Sequence, residues 1–85
     1  MPDRATRRAT VLFHEVAERQ IADMDDTALA SLDPHLDTIA LAPKTAGVQM
    51  RADSPVREYA KDGVRVAYVP TVLGTIVLVA YVEVR

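Results

Sequence analysis

The side chains best suited to bind an anion or move a proton are concentrated in the last third of the chain. Arg57 and Glu58 are followed at short spacing by Arg65, and Tyr81 and Arg85 come later in the same stretch. A guanidinium offers a carboxylate or phosphate two parallel hydrogen bonds, and a phenol can donate or accept one. These residue types suit phosphate binding, and they equally suit a structural ion pair between Arg65 and Glu58.

Metal binding and paired acid-base catalysis are not indicated by the remaining polar residues. His14 and His35 lie on different segments, with no third ligand at metal spacing. Asp25 and Asp26 are adjacent, so their side chains would point apart. The sequence has no cysteine, no glycine-rich phosphate loop and no nucleophile elbow. We therefore expect neither a metal nor a cofactor.

Charge is divided unevenly along the chain. The whole sequence carries 10 basic and 12 acidic residues, a net charge of -2. The part up to Pro43 has 4 basic and 8 acidic residues, whereas the part from Lys44 onward has 6 basic and 4 acidic residues. The overall balance does not suit binding of nucleic acid by bulk attraction. It leaves room for a local basic surface on the second part.

Length and composition predict one cytoplasmic domain over residues 1–85, with residues 1–9 as a flexible arm. The absence of cysteine fits a reducing compartment. The longest apolar run, residues 76–82, is shorter than the roughly 20 residues that a membrane-spanning helix needs. The N-terminus carries charges where a signal peptide needs apolar residues, so neither export nor a membrane partner is expected.

A β-hairpin is the element that would position the charged residues. Asp62 and Gly63 favour a two-residue turn, in which both residues take positive φ. Pairing around that turn sets Glu58 diagonally from Arg65 on one face, and it puts Arg57 and Lys61 on the other. The full predicted register is Lys61 with Val64, Ala60 with Arg65, Tyr59 with Val66, Glu58 with Ala67, Arg57 with Tyr68 and Val56 with Val69.

A further strand over residues 75–84 is apolar on both faces, which predicts a central strand buried on both sides. It needs a second neighbour, and residues 10–13 are the candidate. Those four residues read as a short strand, yet they also continue a helical face, so both interpretations stay open. The residues that hold this helical spacing are Ala9, Leu12, Phe13, Val16 and Ala17.

The segment between these strands predicts two or three short helices. Residues 15–24 are amphipathic, Asp26 or Thr27 can cap a new turn, and Asp33 followed by Pro34 suggests a helix restart. The predicted fold is therefore α+β, a small single domain with N-terminal helices on one face of a mainly antiparallel sheet of three to four strands.

The second part of the chain resembles the toxins of the RelE/ParE superfamily. The resemblance also includes Ala42 and Pro43 at a helix end and the glycine-containing stretch 47–50, and it extends over residues 10–85. The residues that carry it most strongly are Arg57, Glu58, Tyr59, Asp62, Gly63, Val64, Arg65, Val66 and Tyr68, followed by residues 76–82 and Arg85.

This resemblance implies a small bacterial toxin encoded with an antitoxin protein that wraps it. Members cleave mRNA in the ribosomal A site, as metal-independent endoribonucleases, or poison DNA gyrase. The implied catalytic residues are Arg65, Arg85 and Tyr81. The implied RNA-binding residues are Arg57, Lys61 and Arg51. The expected partners are the antitoxin, the ribosome and mRNA or gyrase, and a second copy of the chain as a homodimer.

Two departures from the family pattern support a different function. RNA-cutting members carry Lys or Arg on the strand before the turn, where this chain has Val56 and Glu58. Glu58 would neutralise Arg65. The alternative is a catalytically silent RelE-like module that acts only through protein-protein interaction or dimerisation.

Overall fold

The computed structural model describes residues 8–85 as two helices and a five-stranded sheet. The sheet order is β1-β5-β4-β3-β2, with β1 parallel to β5 and the other pairs antiparallel. The predicted α+β class is confirmed, and the two-residue strand β2 accounts for the extra strand. The elements are β1 Thr10–Phe13, α1 Glu15–Ala22, α2 Asp26–Leu41, β2 Val48–Gln49, β3 Arg57–Lys61, β4 Val64–Pro70 and β5 Ile76–Val84.

The predicted hairpin joins β3 and β4. Asp62 and Gly63 form its turn with φ of 54° and 80°. Five predicted pairs are confirmed, from Arg57 with Tyr68 to Lys61 with Val64. The sixth, Val56 with Val69, is absent because β3 begins one residue later and the N–H of Val56 donates to the Ser54 hydroxyl at 3.2 Å.

Residues 10–13 form a strand, which settles the alternative that periodicity left open. Thr10 N donates to Thr75 O at 2.9 Å, and His14 N donates to Val79 O at 2.8 Å. The helix begins only after His14, whose Nδ1 accepts from Val16 N at 3.1 Å as an N-cap. β1 is thus the neighbour that β5 required.

α2 is one continuous helix, so the predicted restart at Asp33 and Pro34 is wrong. Its N-cap is Asp25, whose carboxylate accepts from Ala28 N at 2.8 Å. A proline inside a helix removes one hydrogen bond and costs about 3 kcal/mol. The helix continues because Leu32 and Ile39, on either side of Pro34, are buried in the core.

β5 is buried on one face only, so its predicted burial on both sides is wrong. Val77, Val79 and Val82 face the helices and are at most 2% exposed. Both helices lie on that face. The opposite face, here called the open face, is not covered by any element among residues 8–85, and Ile76 and Leu78 on it are each 39% exposed. The open face carries Leu12, Glu58, Arg65, Ile76, Leu78, Tyr81 and Glu83.

The predicted arm of residues 1–9 lies mostly outside the described residues. Its last two residues are docked on α2. Ala9 is buried and donates from its N to Ala40 O at 2.8 Å, and Arg8 is 2.7 Å from Asp37. Neither helix of the described chain is long and apolar enough to cross a membrane.

Candidate phosphate-binding site

Arg65, Tyr81 and Glu83 meet on the open face. Arg65 and Glu83 are direct partners in the β4–β5 ladder, so their side chains leave the sheet on the same side. Arg65 Nη2 lies 2.7 Å from Glu83 Oε1. The guanidinium carbon of Arg65 lies 5.8 Å from the centre of the Tyr81 ring, within the range of a cation–π contact.

A bulge in the β4–β5 ladder puts Tyr81 on this face. Ala67 pairs with Tyr81 and the next residue, Tyr68, pairs with Val79, so Ala80 is the extra residue. The bulge shifts the alternation of β5 by one residue. Val79 and Val82 can therefore both enter the core, while Tyr81 stays on the open face beside Arg65.

Two further charged residues complete the cluster. Arg85 Nε lies 3.9 Å from Glu83 Oε2, and Arg65 Nε lies 3.9 Å from Glu58 Oε2. Arg85 is held at this position because its backbone N donates to Gly63 O at 2.9 Å. Two arginines and two glutamates thus form the cluster. Glu58 is outside a cavity of about 240 Å³ that is lined by Ala60, Lys61, Gly63, Val64, Arg65, Glu83 and Arg85.

Arg65 is a fixed cation within this cluster. The carboxylate of Glu83 raises the pKa of Arg65 above its ordinary value, with smaller contributions from Tyr81 and Glu58. The guanidinium therefore stays charged over the whole physiological range. Its chemistry is charge stabilisation and hydrogen-bond donation, and proton transfer must fall to other groups. Its Nε is buried without a hydrogen-bond partner among the described residues.

The fold separates the predicted catalytic residues from two of the three predicted RNA-binding residues. Arg65, Arg85 and Tyr81 lie together, whereas Arg57 extends from the opposite face and donates from Nη2 to Gly47 O. Arg51 pairs with Asp53 at 3.0 Å in the connector before β3.

Lys61 lies on the same face of β3 as Arg57. It is the last residue of that strand, and it lines the cavity at the end next to the hairpin turn. His35 helps to fix this end of the hairpin, because its Nε2 lies 2.8 Å from Lys61 O and its ring lies 5.4 Å from the Tyr59 ring. Among residues 8–85, no three His, Asp or Glu side chains lie close enough together to hold a metal ion.

Glu83 was missed as a site residue by reasoning from the sequence. It is the closest charged partner of Arg65, nearer than the Glu58 that the hairpin register indicated. Predicting the register of β5 against β4 would have identified Glu83, because Glu83 and Arg65 are directly opposite in that register. The bulge hides that alignment, since it breaks the simple alternation of apolar residues along β5.

Comparison with known proteins gives no match by sequence and clear matches by structure. No family model and no curated protein sequence matches the chain. A toxin chain of the Mycobacterium tuberculosis RelBE2 toxin-antitoxin complex superposes with a TM-score of 0.79 at 20% identity, over 92% of this chain and 99% of that one.

Two other RelE structures agree with this result. The intact Escherichia coli RelBE complex gives a TM-score of 0.74 at 18% identity, over 91% of this chain and 96% of that one. The archaeal RelE-RelB complex of Pyrococcus horikoshii gives 0.68 at 11% identity, over 92% and 96% of the two chains. The chain therefore has the α+β fold of the RelE toxins.

Proposed function

We propose that the chain is the toxin-like component of a type II toxin-antitoxin system and that it cleaves mRNA on the ribosome. The observation that carries the proposal is the superposition on a RelE toxin over 92% of this chain, with Arg65, Arg85 and Tyr81 gathered on the open face. The three structures compared above were solved as complexes of RelE with RelB. The proposed partner is therefore an antitoxin protein that covers this chain.

The proposed reaction needs no metal. The 2′-oxygen of one nucleotide attacks the adjacent phosphorus, and the bond to the 5′-oxygen of the next nucleotide breaks, which leaves a cyclic phosphate and a free 5′-hydroxyl. Arg65 and Arg85 stabilise the charge that develops on the phosphate oxygens. The carboxylate of Glu83 accepts the proton of the attacking hydroxyl, and the Tyr81 hydroxyl donates one to the leaving oxygen.

Lys61 is the predicted RNA-binding residue that fits this reaction, because it lines the same cavity as Arg65. Arg57 and Arg51 have no part in it, since neither lines that cavity. Arg57 extends from the opposite face to Gly47 O, and Arg51 pairs with Asp53 in the connector.

The neutral charge of the cluster favours a second function. Glu83 and Glu58 flank Arg65 at 2.7 and 3.9 Å and offset its attraction for a phosphate. Val56 and Glu58 also stand where RNA-cutting members carry basic residues. A catalytically silent module with this fold would bind an antitoxin-like protein and leave RNA intact.

Induced expression in a bacterial host tests the proposal. Wild type, Arg65→Ala and the control Arg51→Ala are compared for growth while new protein and new DNA are labelled separately. mRNA cleavage predicts that protein synthesis stops with wild type and with the control but continues with Arg65→Ala. Arrest with a DNA-damage response would instead identify gyrase as the target. Normal growth with good yield of folded protein would contradict both toxin activities and support the catalytically silent binding module.

A further inference from the structure

Along the outer edge of β1, the backbone groups of two residues have no hydrogen-bond partner among residues 8–85. Thr10 N and His14 N donate to β5, at Thr75 O and Val79 O. Since alternate residues of a parallel strand bond to the same neighbour, Leu12 also faces β5. The N–H and C=O groups of Val11 and Phe13 therefore point away from the sheet. No hydrogen bond from another element of residues 8–85 reaches them.

This edge lacks the features that usually prevent strands from pairing. Natural edge strands carry charges, proline or bulges, or are covered by another element. β1 has the sequence TVLF, without a charge or a proline, and its pairing with β5 is regular over all four residues. Leu12 is 50% exposed on the open face, next to the exposed Ile76 and Leu78. Both the backbone edge and the adjoining side chains are thus available to a partner strand.

We infer that β1 pairs with β1 of a second copy of this chain, antiparallel and centred on Leu12. A two-fold axis at Leu12 sets Val11 opposite the partner's Phe13, and Phe13 opposite the partner's Val11. These are the residues whose backbone groups point outward, so each of the two pairs exchanges two hydrogen bonds. The two sheets then join into one continuous sheet. This inference does not depend on the proposed function.

The side chains suit this register as well as the backbone does. Leu12 meets the partner's Leu12 on the open face, and Phe13 meets the partner's Val11 on the helix face, so the three central cross-strand pairs are apolar. At the end of the strand, Arg8 comes beside the first turn of the partner's α1. That turn is acidic, with Glu15 and Glu18. Arg8 and Glu15 already pair with Asp37 and Arg19 of their own chain, so the opposite charges at the two ends of the interface add attraction at longer range and no new ion pair.

A single introduced cysteine tests the register on the purified full-length chain. Because the natural sequence has no cysteine, Leu12→Cys can form a disulfide only between two copies. The two positions form a non-hydrogen-bonded pair with Cβ atoms about 4.5–5.5 Å apart, close to the separation that a disulfide needs. Under dilute, mildly oxidising conditions, Leu12→Cys is expected to give crosslinked dimer at least tenfold faster than Val72→Cys, which lies in an exposed loop.

Sedimentation across a range of concentrations provides the second measurement. Wild type and the control Val72→Lys are expected to show a concentration-dependent dimer, and Leu12→Lys is expected to remain monomeric because it brings two like charges together. Circular dichroism verifies that the variants are folded. A wild-type chain that stays monomeric at all concentrations, or equal crosslinking rates for Leu12→Cys and Val72→Cys, would overturn the inference, whatever the growth experiment shows.

Discussion

Arg65 and Glu83 face each other across the β4–β5 ladder, with Nη2 and Oε1 2.7 Å apart. Arg65 is the cation on which the proposed RNA chemistry depends. In the free protein, the carboxylate of Glu83 forms an ion pair with it. A phosphate that enters the site must compete with this carboxylate for the guanidinium. We therefore expect the Arg65–Glu83 pair to set how strongly this part of the open face attracts a phosphate.

Removing the charge of Glu83 should strengthen RNA binding. In Glu83→Gln, Arg65 loses its closest carboxylate and can make one further phosphate contact. A plot of log affinity for single-stranded RNA against log salt concentration should then steepen by about 0.7. Fluorescence anisotropy with a labelled oligonucleotide measures this slope.

Asp53→Asn is the matched control for that experiment, because it removes one negative charge from an exposed pair with Arg51 outside the cluster. Its slope should equal that of the wild type. Equal effects of the two substitutions would mean that net charge alone governs binding and that the position of Glu83 has no special role.

Loss of the Tyr68 hydroxyl should destabilise the protein. This hydroxyl is one link between the connector and the sheet, since it donates to Pro43 O at 2.9 Å and accepts from Gly47 N at 3.1 Å. Tyr68→Phe leaves both backbone groups without this partner and should lower the free energy of unfolding by about 1–3 kcal/mol. Tyr81→Phe, on the open face, should change it by less than about 0.5 kcal/mol. Urea denaturation compares the two, and equal effects would contradict the role given to Tyr68.

A side chain at Gly47 should also be destabilising. A Cβ built there would lie 2.8 Å from Glu58 O and 2.9 Å from the Tyr68 hydroxyl, too close for either contact. Gly47→Ala should cost about 1–3 kcal/mol in thermal or urea denaturation. Combined with Tyr68→Phe, it should cost less than the sum of the two single changes, because one of the clashing atoms is then absent. Simple additivity would show that the two residues do not interact.

The helix face of the sheet should depend strongly on Leu32. This residue is 1% exposed, whereas Leu41 on the same helix is 46% exposed. Leu32→Ala should lower the free energy of unfolding by about 2–5 kcal/mol, and Leu41→Ala by less than about 1 kcal/mol. A similar loss in both variants would mean that α2 packs differently from the arrangement described here.

Local chemistry made the hairpin predictable, and tertiary packing decided the elements that were predicted wrongly. Asp62 and Gly63 fix a turn within two residues, and the five observed pairs next to it follow from that turn. Pro34 breaks the local rule for a helix, but burial of Leu32 and Ile39 keeps α2 continuous. The residues that determine the turn are adjacent in sequence, so the turn can be predicted locally. The sheet against which α2 packs is formed by residues that are distant from α2 in sequence.

The site was predictable in part for the same reason. Arg65 and Glu58 belong to one hairpin, so their proximity follows from the turn. Glu83 lies 18 residues from Arg65, beyond a loop and a bulge, and its contact depends on the β4–β5 register. The exposure of Ile76 and Leu78 was missed because an apolar strand has the same sequence pattern whether its second face is covered by its own chain or left open.

The most direct test of the proposed function is cleavage of mRNA on purified bacterial ribosomes. Ribosomes programmed with a defined mRNA are incubated with wild type, Arg65→Ala or Arg51→Ala, and primer extension maps any cut. We expect a cut in the A-site codon with wild type and with Arg51→Ala, and a rate lower by about 10²–10³-fold with Arg65→Ala. An intact mRNA after incubation with folded wild-type protein, or equal cutting by Arg65→Ala, would contradict the proposed function.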